Sequence, residues 1–536
     1  MTDVSVIVAV YNTMPYLTAC LNSLVTQSIG LHRMEVIAVD DGSTDGSGAE
    51  LERFAALYPG FVTVLHQENS GGPAAPANRA LDLAVGRYVY FVGADDHLGP
   101  EALERLVANA DRYRSDVLLG KVVGVNGRTV HQEIYRSDQA KVEFFGSPLR
   151  WSLSDTKLFR RAFVEEHGLR FPEDMPISCD QPFTIAALLH ARTISVLSSY
   201  TCYYAVRRAD SSNITFNTAP LVEIANTAKL MNFVADRIEP GPDRDWLLRR
   251  HFEWEVAVLL LQGFRELPAE TKEQLCARIA ELADLYLTDR VRDELGLTSR
   301  VLICLAWTGA IPDLEEFLRL QAEGRTPPIH LTGDDALSRY DFLARLPEAW
   351  FRLTGRVADR IASGTVTVSA GFEHGLDGQE LTITTNTPLV GPAALRPAQV
   401  RLGLVPRKPR RKIPGPRRVA GDRAVPTGLD RITLEQTDWG TEFQSRIPVD
   451  ALIAAHRAGA ARKHTVHLFV DVGGTTYEIP MRGAPEPAQV RRWQSARIFR
   501  VSALVEEEHL VIAIARIKPL RVVRRRLGKL VGSGPR

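Results

Sequence analysis

At 536 residues the chain exceeds one ordinary domain, for which about 100–200 residues is usual. Hydrophobic content of 45% and charged content of 24% exclude a largely disordered chain. A net charge of +1 and the absence of a reader motif argue against a nucleic-acid partner. The charge is uneven, however. Arg407–Arg418 is a basic run, and Arg516–Arg536 carries Lys and Arg without Asp or Glu. Each is read either as attraction for an anionic polymer or membrane face, or as a solvated loop and terminus. The five cysteines (Cys20, Cys179, Cys202, Cys276, Cys304) are scattered and odd in number, so a reducing, cytoplasmic setting without disulfides is expected. No leader-like segment precedes Val4 and no apolar span reaches 18 residues, so no signal peptide and no transmembrane helix is expected.

In chain order, Val4–Val10 is a nearly continuous β-branched run, the pattern of a strand buried on both faces. Pro15–Gln27 has helical spacing. Glu35–Val39 reads as a second strand, Gly46–Tyr58 as a helix, Val62–His66 as a strand, Ala77–Val85 as a helix and Tyr88–Val92 as a fourth strand. This alternation predicts a mostly parallel α/β sheet with right-handed crossovers. Residues 220–352 read as helical, with Trp246–Phe264 and Thr271–Tyr286 the clearest segments. From about Val357, runs such as Gly364–Gly371, Leu381–Thr385, His464–Val472 and Thr475–Met481 alternate with period two, the pattern of a β-sandwich. Ala496–Glu506 and Leu510–Ala515 read as two further strands. The expected domains are 1–215, 216–355, 356–484 and 485–536.

Ligands of open parallel sheets bind at the carboxyl ends of the strands. Those ends carry Val10-Tyr11-Asn12, then Asp40 to Asp45, then Glu68-Asn69-Ser70-Gly71-Gly72, then Gly93-Ala94-Asp95-Asp96-His97. Adjacent carboxylates suit a hard cation, Mn²⁺ or Mg²⁺, that neutralises a diphosphate leaving group. Asp41 offers an acceptor to a uracil ring N–H, and Tyr11 an aromatic face to a base. His97 is read either as a neighbour of the metal motif or as a loop histidine, and Asp45 as a helix cap.

Val4–Asn12, Val39–Asp45 and the Phe-Val-Gly-Ala-Asp-Asp run Phe91–Asp96 together resemble the family 2 glycosyltransferases of GT-A fold. The resemblance implies an inverting, metal-dependent transfer from a UDP-sugar. It places Val10, Tyr11, Asp41, Asn69, Arg79, Asp95, Arg207 and Arg208 on the donor, and Asp96 with Asp95 on the metal. It also implies a general base near the start of a later helix. The matching stretch is Ile177–Phe183, where Cys179 replaces the usual Glu and Asp180 is read either as the base or as a helix cap. Cys179 itself is read as a packed thiol rather than a reactive one. Tyr203–Ser212 resembles the loop that closes over the diphosphate, with Arg207 or Arg208 pairing to phosphate. The chain departs from the pattern twice: Gly93 stands where many relatives carry an Asp, and Ala77 where they carry an Arg, with Arg79 two residues away.

The order of catalytic, helical and β-sandwich parts resembles wall teichoic acid glycosyltransferases that decorate poly-ribitol-phosphate. That resemblance implies UDP-N-acetylglucosamine or a similar donor, an anionic cell-envelope acceptor, an immunoglobulin-like C-terminal part driving trimer formation, and work at the inner membrane face. Two other readings stay open: transfer to lipid-linked or capsular oligosaccharide, and a non-catalytic carbohydrate-binding scaffold.

Overall fold

The structure is a computed structural model. It describes residues 2–209 and 218–517, apart from 333–334, 354–356, 376–377, 391–399, 408–412, 414, 420–430, 438–439, 458–461, 473–474, 484 and 495–496. The basic tail beyond residue 517, much of the basic run at 407–418, and Asp210–Ser212 lie outside the described residues. Two compact units form, Met1–Ile311 and Pro312–Arg536.

The first unit is built on an eight-stranded sheet. Its strands are β1 (Val4–Val10), β2 (Met34–Asp40), β3 (Val62–His66), β4 (Tyr88–Phe91), β5 (His97–Leu98), β6 (Val117–Val125), β7 (Lys157–Arg160) and β8 (Ile194–Val206), in the order β3-β2-β1-β4-β7-β6-β8-β5. β1 pairs in parallel with β2 and β4, and β2 with β3. The register Val10↔Asp40↔His66 brings three carboxyl ends to one rim. β7 runs antiparallel between β4 and β6, so its amino end lies at the rim where β4 ends. β1 is buried along nearly its whole length, as its Val/Ile content requires. The helices are α1 (Leu17–Val25), α2 (Ser47–Leu57), α3 (Ala74–Leu81), α4 (Ala102–Tyr113), α5 (Arg161–Glu166) and α6 (Asp180–His190). α3 starts three residues before the expected Ala77, because Pro76 in its first turn needs no amide hydrogen bond.

Helices α7 (Pro220–Arg237) and α8 (Pro242–His251) follow in the same unit, and α7 packs on α6. The single helix expected over Trp246–Phe264 is broken twice. Phe252–Val256 is a π-helical turn, and Gln262 leaves the helix before Gly263 adopts φ 75°. Helix ends at Ala322 rather than near Arg352. Gly324, at φ 72°, turns the chain out of the helix, with Arg325 N bonding back to Leu320 O (3.0 Å), and Ile329–Thr332 instead pairs antiparallel with Asp335–Ser338.

In the second unit a four-stranded antiparallel sheet and a larger mixed-length sheet share one core. Leu381, Ile383 and Ile447 come from the first, and Val466, Leu468, Val501 and Ile512 from the second. Strands Arg497–Glu506 and His509–Ile517, expected apart from the sandwich, lie inside it: His509–Ile517 pairs with Lys463–Val472, and Arg497–Glu506 pairs with His509–Ile517. Glu507 and Glu508 at φ 51° and 64° close their two-residue hairpin, as a type I′ turn demands.

Candidate active site

The rim assembles from the strand ends. The Asp41 amide donates to the Val10 carbonyl, joining the ends of β2 and β1 (2.8 Å). Val10 is buried, whereas Tyr11 is 48% exposed and presents its ring to solvent. Asp41 is buried and accepts from Gln67 Nε2 at 2.6 Å, Ser70 N at 3.1 Å and Ser70 Oγ at 2.9 Å. Those bonds tie it to the loop after β3. Asn69 Oδ1 closes that loop by accepting from Gly71 N (2.7 Å). Gly42, at φ 79°, lies where a Cβ would stand 2.9 Å from Asn69 N, so only glycine fits without a shift. Arg79 Nη1 donates to His66 O at 3.1 Å and Gln67 Oε1 at 3.3 Å. The guanidinium thus reaches the end of β3 despite its displacement. Ala77 is core, and Asn78 is spent on Phe171 O (2.9 Å).

The acidic pair meets β8. Asp95 Oδ2 accepts from Arg208 Nε at 2.8 Å, and Arg208 Nη1 reaches Asn12 O at 3.3 Å. Arg208 therefore bridges the ends of β1, β4 and β8. Asp96 is buried. Its Oδ2 accepts from Tyr203 OH (2.6 Å) and its Oδ1 from Val206 N (2.6 Å), with Arg128 Nη1 at 3.7 Å. Burial and the neighbouring Asp95 charge push the Asp96 carboxyl up to about 6. Arg207 is placed next to this rim by its amide bond to Val125 O (3.2 Å). His97 belongs to β5, pairs with Tyr204 of β8 and stacks on its ring at 4.8 Å, so it is held in the sheet rather than in an exposed loop.

The acidic pair fits a divalent cation. A Cβ built on Gly93 would stand 2.9 Å from Asp96 Oδ2 and 3.3 Å from Asp95 Oδ1, so both oxygens converge on one point. Burial, and after it the charge of Asp95, disfavours the ionised Asp96 carboxylate, and a cation between the pair would offset both. An all-oxygen donor pair of this kind suits Mn²⁺ or Mg²⁺. No group of three or more ligating side chains occurs among the described residues.

Asp180 is the first residue of α6, one past the N-cap position, which Cys179 occupies without a side-chain cap bond. An aromatic cluster sets its position. Phe183, one turn on, lies 5.4 Å from Phe91 of β4, 5.2 Å from Phe159 of β7 and 4.4 Å from Phe171. The start of α6 is thereby pinned over the two strands whose ends form the rim. Ser178, at φ 57°, is held in the left-handed region two residues before the carboxylate, a strained conformation for a non-glycine residue. Burial raises the Asp180 carboxyl, and the Lys157 ammonium opposes that rise. Cys179 is buried and its thiol is raised by burial, the behaviour of a packed cysteine.

Three participants were not legible in advance. Asp155 is raised to about 7, chiefly by burial and then by the charge of Asp180, and Asp96 also acts on it. Lys157 is buried and lowered to about 8 by desolvation. Both sit at the amino end of β7, between the acidic pair and α6. From the helical region, Arg250 Nη1 donates to Gln181 Oε1 at 2.8 Å and pairs with Glu255, which also accepts from Gln181 Nε2 at 3.1 Å.

Comparison with known proteins agrees with this geometry. The family model "Glycosyl transferase family 2" matches residues 5–168, and "Glycosyl transferase TarS linker domain" matches 224–318. Residues 1–349 of Staphylococcus aureus TarS, solved with UDP-GlcNAc, align with 30% identity and a TM-score of 0.54 over 63% of this chain and 97% of that one. The chain belongs to the family 2 glycosyltransferases. Among curated members, the poly(ribitol-phosphate) beta-glucosyltransferase of Bacillus spizizenii is 38% identical over 38% of the chain. The poly(ribitol-phosphate) beta-N-acetylglucosaminyltransferase TarS of S. aureus is 41% identical, also over 38%. These alignments span only 32% and 35% of the relatives' own lengths. A longer TarS structure shares the fold across 97% of this chain and 86% of its own, with a TM-score of 0.61 at 22% identity. In this glycosyltransferase no helix among the described residues is long and apolar enough to cross a membrane.

Proposed function

We propose that the chain transfers a sugar, N-acetylglucosamine or glucose, from its UDP donor to a hydroxyl of a poly(ribitol-phosphate) polymer, with inversion. The observation that carries this reading is the placement of Asp180. The Phe183 cluster anchors its helix over β4 and β7, beside the rim that holds Asp41, Asp95, Asp96 and Arg208. The relatives' activities supply the donor and acceptor classes.

Tyr11 and Asp41 face the base, with Asn69 and Arg79 shaping the loop beside it. Arg207 and Arg208 pair with diphosphate oxygens in a charge-assisted geometry. Asp95 and Asp96 would hold Mn²⁺ or Mg²⁺, which supplies charge neutralisation of the departing diphosphate. Both oxygens of Asp96 accept hydrogen bonds, from Tyr203 OH and Val206 N, and these orient its carboxylate. Asp180 takes the proton of the acceptor hydroxyl as that oxygen attacks the anomeric carbon from the face opposite the diphosphate. Burial raises its affinity for a proton, which suits a base, and the Lys157 ammonium opposes that rise. Assembly through the C-terminal unit and work at the cytoplasmic membrane face belong to the same proposal.

The test is UDP release and product formation with UDP-N-acetylglucosamine or UDP-glucose, Mn²⁺, and either poly(ribitol-phosphate) or a lipid-linked oligosaccharide. Transfer to the polymer that Asp180→Asn abolishes is the expected result. Transfer only to the lipid-linked acceptor overturns the polymer assignment, and absence of donor turnover overturns the enzyme reading.

A further inference from the structure

Beside the Asp180 helix lies an aromatic patch that the donor chemistry leaves unused. His131 stacks on Trp151 at 4.9 Å and meets Trp254 edge-on at 4.9 Å, with the two indoles 6.2 Å apart. Trp254 is 42% exposed. It sits in the π-helical turn Phe252–Val256, which buries Phe252, Glu255 and Val256 while turning Trp254 outward. Arg150 lies between two rings, its guanidinium carbon 5.3 Å from Trp151 and 5.2 Å from Trp246. Its polar contact is with the Trp246 carbonyl at 3.4 Å, and among the described residues it has no carboxylate partner. Among the described residues the buried His131 Nε2 has no hydrogen-bond partner either.

We propose that Trp151, Trp254, His131 and Arg150 form an acceptor subsite that binds a polyol-phosphate unit next to the one being glycosylated. The inference rests on the functional reading above. Two features choose the occupant. Indole faces pack against the carbon chain of a polyol, and a guanidinium held between rings without a direct carboxylate contact pairs with a phosphodiester. Position follows from the adjacent residue: Glu255 bonds Gln181, the immediate neighbour of Asp180. A polymer whose hydroxyl reaches Asp180 therefore has its neighbouring unit within reach of Trp254.

The test uses the full chain with saturating UDP-sugar, Mn²⁺ and poly(ribitol-phosphate) of graded length. Trp254→Ala should raise the KM for polymer about five- to tenfold, and Trp254→Phe should restore most of it. Arg150→Gln should flatten the dependence of that KM on salt. Circular dichroism checks that each variant folds. An unchanged KM in Trp254→Ala and Arg150→Gln, or a loss that Trp254→Phe fails to restore, overturns the subsite while polymer transfer by the unmodified chain still stands. No transfer to polymer by the unmodified chain overturns the functional reading, and the subsite with it.

Discussion

Replacing Arg250 by Met should weaken the first unit and disturb the base together. Arg250 and Glu255 are each 8% exposed at the side chain, and their ion pair is the centre of a network holding Gln181 and His251. The methionine would leave the Glu255 carboxylate buried with only Gln181 and His251 as partners. Removing one member of a buried pair costs roughly 3–5 kcal/mol. The pair's own electrostatics agree. Although burial opposes it, Arg250 and His251 hold Glu255 at about 2 against an ordinary 4.5, a difference equivalent to about 3 kcal/mol. Because the folded-state value is depressed, that stabilisation is present above pH 4.5 and is lost as pH falls toward about 2. Urea unfolding at pH 7 and pH 4, followed by tryptophan fluorescence, reads the change in the transition of residues 1–311. The loss should be large at pH 7 and smaller at pH 4. Adding Glu255→Met should recover much of it, because no charge is then stranded. A single variant within about 1 kcal/mol of the parent, or a double variant no better than the single, would refute the reasoning.

Asp180→Asn should lower transfer by about 10²- to 10⁴-fold while calorimetric donor affinity stays within a factor of two or so. Tyr203→Phe removes the hydroxyl that bonds both Asp96 and the Gly93 amide, so the Mn²⁺ concentration for half-maximal donor binding should rise about tenfold, read by thermal shift. Transfer should increase with pH beyond the ordinary carboxylate range. Asp180 must be ionised to act and burial raises its proton affinity, while burial and then the charge of Asp180 push the neighbouring Asp155 up to about 7, so protonation silences the site as pH falls. A rate already flat at pH 5 would contradict that. Phe183→Ala should cost about 3–5 kcal/mol of stability and also lower kcat, because it frees the start of α6; a kcat equal to the parent's would separate the cluster from catalysis.

The rim was legible because two local signals coincide there: buried β-branched runs such as Val4–Val10, and acidic or glycine residues immediately after them. The strand bounds at Val4–Val10 and Val62–His66 match the pattern reading residue for residue. Asp155 and Lys157 carried no such signal. Ser-Asp-Thr-Lys reads as a turn, and its weight comes only from β7 inserting antiparallel between β4 and β6, a pairing that sequence periodicity does not encode. Tyr203 likewise looks like one more strand aromatic until β8 brings its hydroxyl to Asp96 across 107 positions of chain. The broken helix over Trp246–Phe264 was misread because a π-turn preserves apolar spacing closely enough to pass for regular helix.

The departure at Gly93 is more than an omission. Its amide is fixed by Tyr203 OH, and any side chain there would collide with the oxygen of Asp96 and crowd that same hydroxyl. Reinstating aspartate at 93 would therefore evict Asp96 from its seat before adding a third negative group. An engineer wishing to strengthen cation affinity would do better to remove the Arg128 charge, which stands 3.7 Å from Asp96 Oδ1, than to fill the gap that the family pattern suggests.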